Sequence, residues 1–378
     1  MSIGLKPRIK STRVAGRKRV SHTAKRPERC PHCGSAKLVR KGARVKKLET
    51  VQLWQCCACA RVFTPAPAEL RNKTYPLRII LDGVTLYNLG YTVAQAAAKL
   101  KARHGTRIAP STLAAWIDEH RELATYARLR EAGRGLAPPS QAIRTVKLYH
   151  RQVYEYAYHR PKLALLAESR EHNRFAAGLT SFLEAVPKAC PHDLFTASVR
   201  ASQTAPNFID RARITAQGKE NFATRMAALV IPTVGNNYLR HEALQRFMLA
   251  NDSVTLAVEV PIWLTRPDIT ALEREHGIRL LPEDAPNDQT ITGHIDFLQV
   301  RNGAVHILDY KPDARTNRPF AQLVVYALAL TKLAGLRLFD IKCAWFNDEQ
   351  YCEFFPRTVL ARQSKRGLPI LARGGENE

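Results

Sequence analysis

Gly293-His294-Ile295-Asp296-Phe297-Leu298-Gln299-Val300-Arg301-Asn302-Gly303-Ala304-Val305-His306-Ile307-Leu308-Asp309-Tyr310-Lys311 is the stretch from which the C-terminal fold is read. Residues 292–300 and 304–311 are strand-like runs rich in Ile, Val and Leu. Between them, Asn302-Gly303 is the dipeptide favoured by a type I′ hairpin turn, because both central residues need a positive φ. With that turn Arg301 faces Ala304, and facing residues have numbers summing to 605. Asp296 and Asp309 meet that sum, which predicts Cβ atoms about 4.5–5.5 Å apart. Period-two alternation puts Lys311 on the same face as Asp309, opposite His294. Two facing carboxylates repel and raise each other's pKa unless a cation lies between them. That pattern points to metal-dependent phosphodiester chemistry; the alternative is a structural Asp–Lys pair on a solvated edge.

The flanking sequence extends the pattern. Residues 236–249 form an amphipathic helical run carrying His241, followed by a strand over 255–262 that contains Glu259. After the hairpin, Arg318-Pro319-Phe320 opens a helical run over 321–333, with Gln322 and Tyr326 four apart on one face. In order, a helix His, Gly293 with Asp296, Asp309 with Lys311, and Gln322 with Tyr326 resemble the RecB-like branch of the PD-(D/E)xK nuclease superfamily. The resemblance covers residues 236–346. It implies an α/β restriction-endonuclease-like domain with a mixed central sheet flanked by helices, hydrolysing DNA to 5′-phosphate and 3′-hydroxyl ends. It also implies Mg²⁺ or Mn²⁺ held by Asp296, Asp309, the Tyr310 carbonyl and His241, with Lys311 orienting water or stabilising phosphate charge. Gln322 and Tyr326 would position the nucleic-acid backbone or the water. Chemistry supports the assignment, since oxygen ligands suit these hard cations. Glu259 is either a further metal-shell carboxylate or an exposed strand residue, and His294 is a candidate supporting group.

The chain has 378 residues, 45% of them hydrophobic, enough for two or three domains with cores of their own. A formal net charge of +25 is exceptional and favours a polyanionic partner, of which nucleic acid, DNA or RNA, is the commonest. Residues 1–64 hold 17 Lys/Arg against Glu28 and Glu49, a net of +15. A membrane partner is disfavoured, because no apolar run approaches about 20 residues. The N-terminus also lacks a signal-peptide core, so a cytoplasmic protein is expected.

Among eight cysteines, Cys30-x2-Cys33 and Cys56-x2-Cys59 have the spacing of a four-thiolate structural Zn²⁺ site, with Cys57 spare. Cys190, Cys343 and Cys352 show no cluster spacing, and no iron–sulfur centre is expected. The run from Cys30 to Thr64 resembles the zinc ribbon of insertion-sequence transposases. Beyond a Pro65/Pro67 linker, helices are predicted over 77–89, from Thr92 as N-cap, and from Ser111 to His120. These resemble a helix-turn-helix, placing Ser111, Thr112, Arg107 and Lys99 toward DNA, with a generic three-helix bundle as the alternative.

The expected organisation is multidomain α+β. It comprises a basic arm (1–28), the zinc ribbon (29–65), the all-α helix-turn-helix (70–130) and a linker over 132–139. A mainly helical connector (141–230), the nuclease domain (231–356) and a basic flexible tail (357–378) complete it. A divalent-metal-dependent DNA nuclease is the favoured reading. A transposase-derived mobile-element protein and a non-catalytic DNA-binding regulator with a degenerate nuclease fold are the alternatives. A homodimer, or accessory proteins of a mobile element or a defence system, are open as partners.

Overall fold

The computed structural model describes residues 20–21, 26–45, 48, 50–64, 74–122, 127–204, 217–218, 221–234 and 237–364. Most of the basic arm, the Pro65/Pro67 linker and the last residues of the tail lie outside them. The chain divides into two compact units, Met1–Leu77 and Arg78–Glu378.

The first unit is a small sheet of β1 (Val20–Ser21), β2 (Leu38–Val45), β3 (Thr50–Cys56) and β4 (Val62–Phe63). β3 lies between β1 and β2, and also pairs with β4. Among the described residues its core is Cys30, Leu38, Trp54, Cys56 and Phe63, with Cys59 against it. A core of this size offsets little ordering entropy, which is where a metal ion would contribute.

The second unit opens with helices α1 (Leu77–Asn88), α2 (Val93–His104), α3 (Pro110–Glu119) and α4 (Ala127–Leu136). Thr92 caps α2, as expected, and does so through a reciprocal capping box with Gln95. Gly83 is needed where the first three helices meet, because a Cβ there would come within 2.7 Å of Leu113 and 3.1 Å of Leu100. These helices belong to the same compact unit as the large sheet: Asn88 donates to Asn251 Oδ1 at 2.8 Å, and Arg130 donates to the carbonyls of Tyr87 and Tyr91. Residues 132–136, expected as linker, complete α4, whose Gly133 packs on Pro161.

Next come β5 (Ile143–His150), β6 (Gln152–His159), α5 (Arg160–Glu168), α6 (Asn173–Ala189), α7 (Leu194–Ala197), β7 (Val199–Arg200), β8 (Gln217–Gly218) and α8 (Phe222–Val230). At the start of the stretch expected to be mainly helical (141–230), β5 and β6 form a β-hairpin, with Arg151 at its tip in the left-handed region (φ 61°). Tyr154, Tyr156 and Tyr158 alternate along β6 with period two, and β-branched and aromatic residues favour a pleated surface over a helix. The connector is therefore part of the sheet.

The remaining elements are α9 (Asn237–Asn251), β9 (Thr255–Leu264), α10 (Arg266–His276), β10 (Ile291–Arg301), β11 (Ala304–Tyr310), α11 (Phe320–Ala334), β12 (Ile341–Phe346), β13 (Tyr351–Phe354) and α12 (Pro356–Ser364). The nine-stranded mixed sheet runs β5-β6-β9-β10-β11-β12-β13-β8, with β7 on β10. β11 and β12 are parallel and α11 is the crossover between them. The expected flexible tail begins as helix α12, which buries Val359 and Leu360.

The β10–β11 hairpin turns on Asn302 (φ 50°) and Gly303 (φ 65°), and its registered pairs run from Arg301↔Ala304 to Phe297↔Leu308. Each pair sums to 605, as read from the sequence. The ladder stops one pair short of the two aspartates.

Candidate functional site: a carboxylate–histidine cluster on the central strands

The end of the β10–β11 ladder has a local cause. Tyr310 N–H donates to Asp296 Oδ2 at 2.9 Å, a side-chain bond in place of the next ladder bond. On the other flank, β9 pairs with β10 at Val260↔Ile295 and Val258↔Phe297, but not at Glu259 and Asp296 between them. Glu259 has φ 51°, a left-handed conformation that a β-strand residue other than glycine rarely adopts. Both neighbouring ladders thus open at Asp296, in mid-sheet, which is where side chains can gather around a ligand.

α9 supplies the third group. His241 Nε2 lies 2.9 Å from Asp296 Oδ2, and Gln245, one turn on, donates to Glu259 Oε1 at 2.7 Å. The ligand atoms of His241, Glu259 and Asp296 all lie within 4.8 Å of one another. Asp309 is outside this trio: its Oδ2 is 2.8 Å from Lys311 Nζ, and its Oδ1 accepts from Gln322 at 3.4 Å. Gln322 also donates to the Tyr326 hydroxyl at 2.8 Å. Tyr326 lies over Gly293, where a Cβ would come within 2.5 Å of its ring, which explains the glycine that opens the hairpin motif.

The sequence-predicted residues His241, Asp296, Asp309, Lys311, Gln322 and Tyr326 therefore line one cavity of about 270 Å³, and Glu259 joins them. Glu259, the alternative ligand in the sequence, takes the place expected for Asp309 beside His241 and Asp296. Tyr310 presents its amide to Asp296 and its ring, 5.8 Å away, to His241. Gln245 was missed, although its i+4 spacing from His241 puts it on the same helix face.

Charge in this cavity is unbalanced. Burial and Asp296 push Asp309 up to about 7, with Lys311 only partly opposing. Burial and Asp296 likewise raise Glu259 to about 7, against His241. For Asp296, burial acts upward but His241, Lys311 and the Tyr310 amide hold it below the usual carboxylate range. Burial acts to lower His241, yet Asp296 raises it to about 9. His241 Nε2 and Asp309 Oδ2 are buried, and their close ionic contacts lack hydrogen-bond geometry. Two carboxylates and an imidazole gathered in this way are a donor set that could hold a metal ion.

A second group borders the same cavity. His294, expected to face Lys311, instead stacks on Tyr154 (3.6 Å between ring centres) and lies 2.9 Å from His150 Nδ1 through its Nε2. Burial, helped by His192, lowers His150 to about 4.

In the first unit, Cys30, Cys33, Cys56 and Cys59 are free thiols whose sulfurs lie within 4.8 Å of one another. Cys30–Cys59 and Cys33–Cys56 approach to 3.7 and 3.5 Å. A tetrahedral zinc with S ligands at about 2.3 Å needs edges of roughly 3.8 Å, so the cluster could bind a structural metal such as zinc. The Cys59 amide, with the Ala58 amide and against burial, holds Cys56 down at about 6, toward the thiolate a metal takes. Cys57 is exposed and outside the cluster.

Of the residues expected at DNA, Lys99, Arg107 and Ser111 are exposed and Thr112 is half-buried. Lys99 sits over the Tyr91 ring at 4.7 Å. Among the described residues, no helix is long and apolar enough to cross a membrane. Compared with family models, curated proteins and solved structures, the chain matches none.

Proposed function

We propose that this chain is a divalent-metal-dependent DNA nuclease of the PD-(D/E)xK type, cutting phosphodiester bonds to leave 5′-phosphate and 3′-hydroxyl ends. One observation carries the reading: His241, Glu259 and Asp296 converge within 4.8 Å in a cavity that the Asp309–Lys311 pair also lines. A cation held there by His241, Glu259 and Asp296 would act as a Lewis acid toward a phosphate oxygen and acidify water.

The chain's own residues have distinct parts. Lys311 is held above the ordinary lysine value, against burial, by Asp309 and Asp296. It therefore stays an ammonium and offsets the negative charge that builds on a phosphate under attack. Asp309, which burial and Asp296 raise, lies beside Lys311 and would accept a proton from water. Gln322 orients Asp309, and Gln245 orients Glu259.

Support for a nucleic-acid substrate is electrostatic. Arg151 and Arg200 line the cavity with the acidic groups. Lys147, Arg240 and Arg246 line an adjoining groove of about 580 Å³ that shares Tyr154, His241 and Glu259 with it. The net charge of +25 would draw a polyanion to both. The cysteine-bearing unit and helices α2–α3, with Lys99, Arg107, Ser111 and Thr112, are proposed to hold duplex DNA.

The test is digestion of supercoiled, linear and single-stranded DNA by the full chain with Mg²⁺ or Mn²⁺. Cleavage should stop with a chelator, and Asp309→Ala should reduce it at least about 100-fold with DNA affinity kept. No cleavage by the wild type, or undiminished cleavage by Asp309→Ala, would overturn the reading. Joined strands among the products would instead favour a transposase.

A further inference from the structure

His150, Cys190 and His192 form a cluster that phosphodiester hydrolysis does not use. His150 ends β5 at the hairpin tip, Cys190 caps α6, and His192 follows two residues later. Their ligand atoms lie within 4.8 Å of one another. His150 Nε2 is 2.8 Å from His192 Nδ1 and 3.8 Å from Cys190 Sγ. We propose that these three side chains bind a zinc-class transition-metal ion, a site separate from both the four-cysteine cluster and the carboxylate–histidine cavity.

The geometry is close to what such an ion demands. With bonds of about 2.0–2.1 Å to nitrogen and 2.3 Å to sulfur, tetrahedral coordination needs edges of roughly 3.3 Å (N···N) and 3.6 Å (N···S). The two imidazoles need to part by about half an ångström, and the sulfur to close by less. One thiolate with two imidazoles selects Zn²⁺ or Co²⁺ over Mg²⁺ or Mn²⁺. His150 must then keep its proton on Nδ1, and His294 Nε2 is 2.9 Å away to accept it. Such a second partner is what a ligating histidine needs to fix its tautomer and ring plane. His192 is exposed, so the fourth position opens to water.

The scaffold is already braced. Phe195 stacks on the His150 ring with centres 3.7 Å apart, and Arg151 donates to the carbonyls of Thr196 and Ser198. The ion would tie the β5–β6 tip to the loop after α6, on the rim of the cavity that His150 and His294 line. Binding converts the Cys190 thiol to thiolate and releases its proton to solvent.

Metal content tests this without DNA, in excess Mg²⁺ to occupy any site at His241, Glu259 and Asp296. The Cys190 and His192 variants distinguish its failure from that of the nuclease reading. Full-length protein is equilibrated with a zinc buffer at nanomolar free ion, then analysed by mass spectrometry for zinc per chain. About two equivalents are expected in the wild type, and about one in Cys190→Ala and in His192→Ala. His192 is exposed, so its replacement should leave circular dichroism unchanged even where Cys190→Ala fails to fold. Cys33→Ser should lose the other equivalent. A wild type with a single zinc, lost in Cys33→Ser and kept in His192→Ala, overturns the site, as does a second zinc that neither Cys190→Ala nor His192→Ala removes.

Discussion

Glu259 brings two costs of folding together in a single residue. Its backbone is left-handed within a strand, which costs on the order of 1–3 kcal/mol, and its half-buried carboxylate lies beside Asp296. The folded-state value of about 7 lies above that of the unfolded chain. The unfolded state therefore loses its proton first, and stability falls as pH rises from about 4.5 through 7. Glu259→Gln keeps a partner for Gln245 and removes this loss. Thermal melts should show the variant equal to the wild type at pH 4.5 and more stable at pH 8, by something on the order of 1–3 kcal/mol. If His241, Glu259 and Asp296 hold a cation, Mn²⁺ should raise the Tm of the wild type and not that of the variant. A gap that does not grow with pH would refute the assigned charge. Gly293 is the complementary case, a residue defined by the space it leaves. Gly293→Ala drives a Cβ into Tyr326, and overpacking of this kind costs about 1–3 kcal/mol. Tyr326 and Gln322 should shift with it, so DNA cleavage should fall more steeply than Tm, which a conserved rate at reduced stability would contradict.

α11 decides the site at the next scale. It is apolar on nearly every face because it lies between the sheet and α6, and it presents Gln322 and Tyr326 to the cavity. Gly178 of α6 sets the separation: a Cβ there would meet the Ala334 carbonyl at 2.3 Å, and backbone cannot rotate away as a side chain can. Gly178→Ala should cost 1–3 kcal/mol or more, measured by urea unfolding, and weaken cleavage by moving α11 from β11. An unchanged midpoint would mean α6 and α11 separate freely. The elements most legible in the sequence are those with local determinants. Asn302-Gly303 requires the turn, and the turn imposes the 605 register. Thr92 similarly announces the start of α2. The β5–β6 hairpin was not legible, because its turn consists of Arg151 with positive φ, which no Gly or Asn signals. The site shows the same division. Asp296, Asp309 and Lys311 were read from the hairpin register, and His241 from the resemblance that the order of elements carries. The placement of Glu259 in the trio depends on a left-handed backbone, and that of His150 beside Cys190 on contacts between residues 40 apart.

At the scale of the whole molecule, charge separates the two units as clearly as topology does. Residues 1–64 carry a net of +15, leaving only +10 of the +25 for the rest of the chain. If the carboxylate cavity cuts DNA, these units divide the work: the first would hold phosphates with little sequence information, the second would do the chemistry. Phosphate contacts release counterions, so log K falls with log salt by about 0.9 per contact on duplex DNA. A chain lacking residues 1–64 should therefore bind duplex DNA at least about 10-fold more weakly near 0.15 M salt, with a slope reduced by about half. Its cleavage rate at saturating DNA should stay within about threefold of the full chain, because His241, Glu259, Asp296, Asp309 and Lys311 all lie in the second unit. Fluorescence anisotropy across 50–300 mM salt reads the slope, and single-turnover digestion reads the rate. An unaltered slope would place the phosphate contacts on the second unit, on Lys147, Arg240 and their neighbours. A collapsed rate with an altered slope would mean that the first unit also positions the DNA for the cut, and the separation of labour argued from charge would fail.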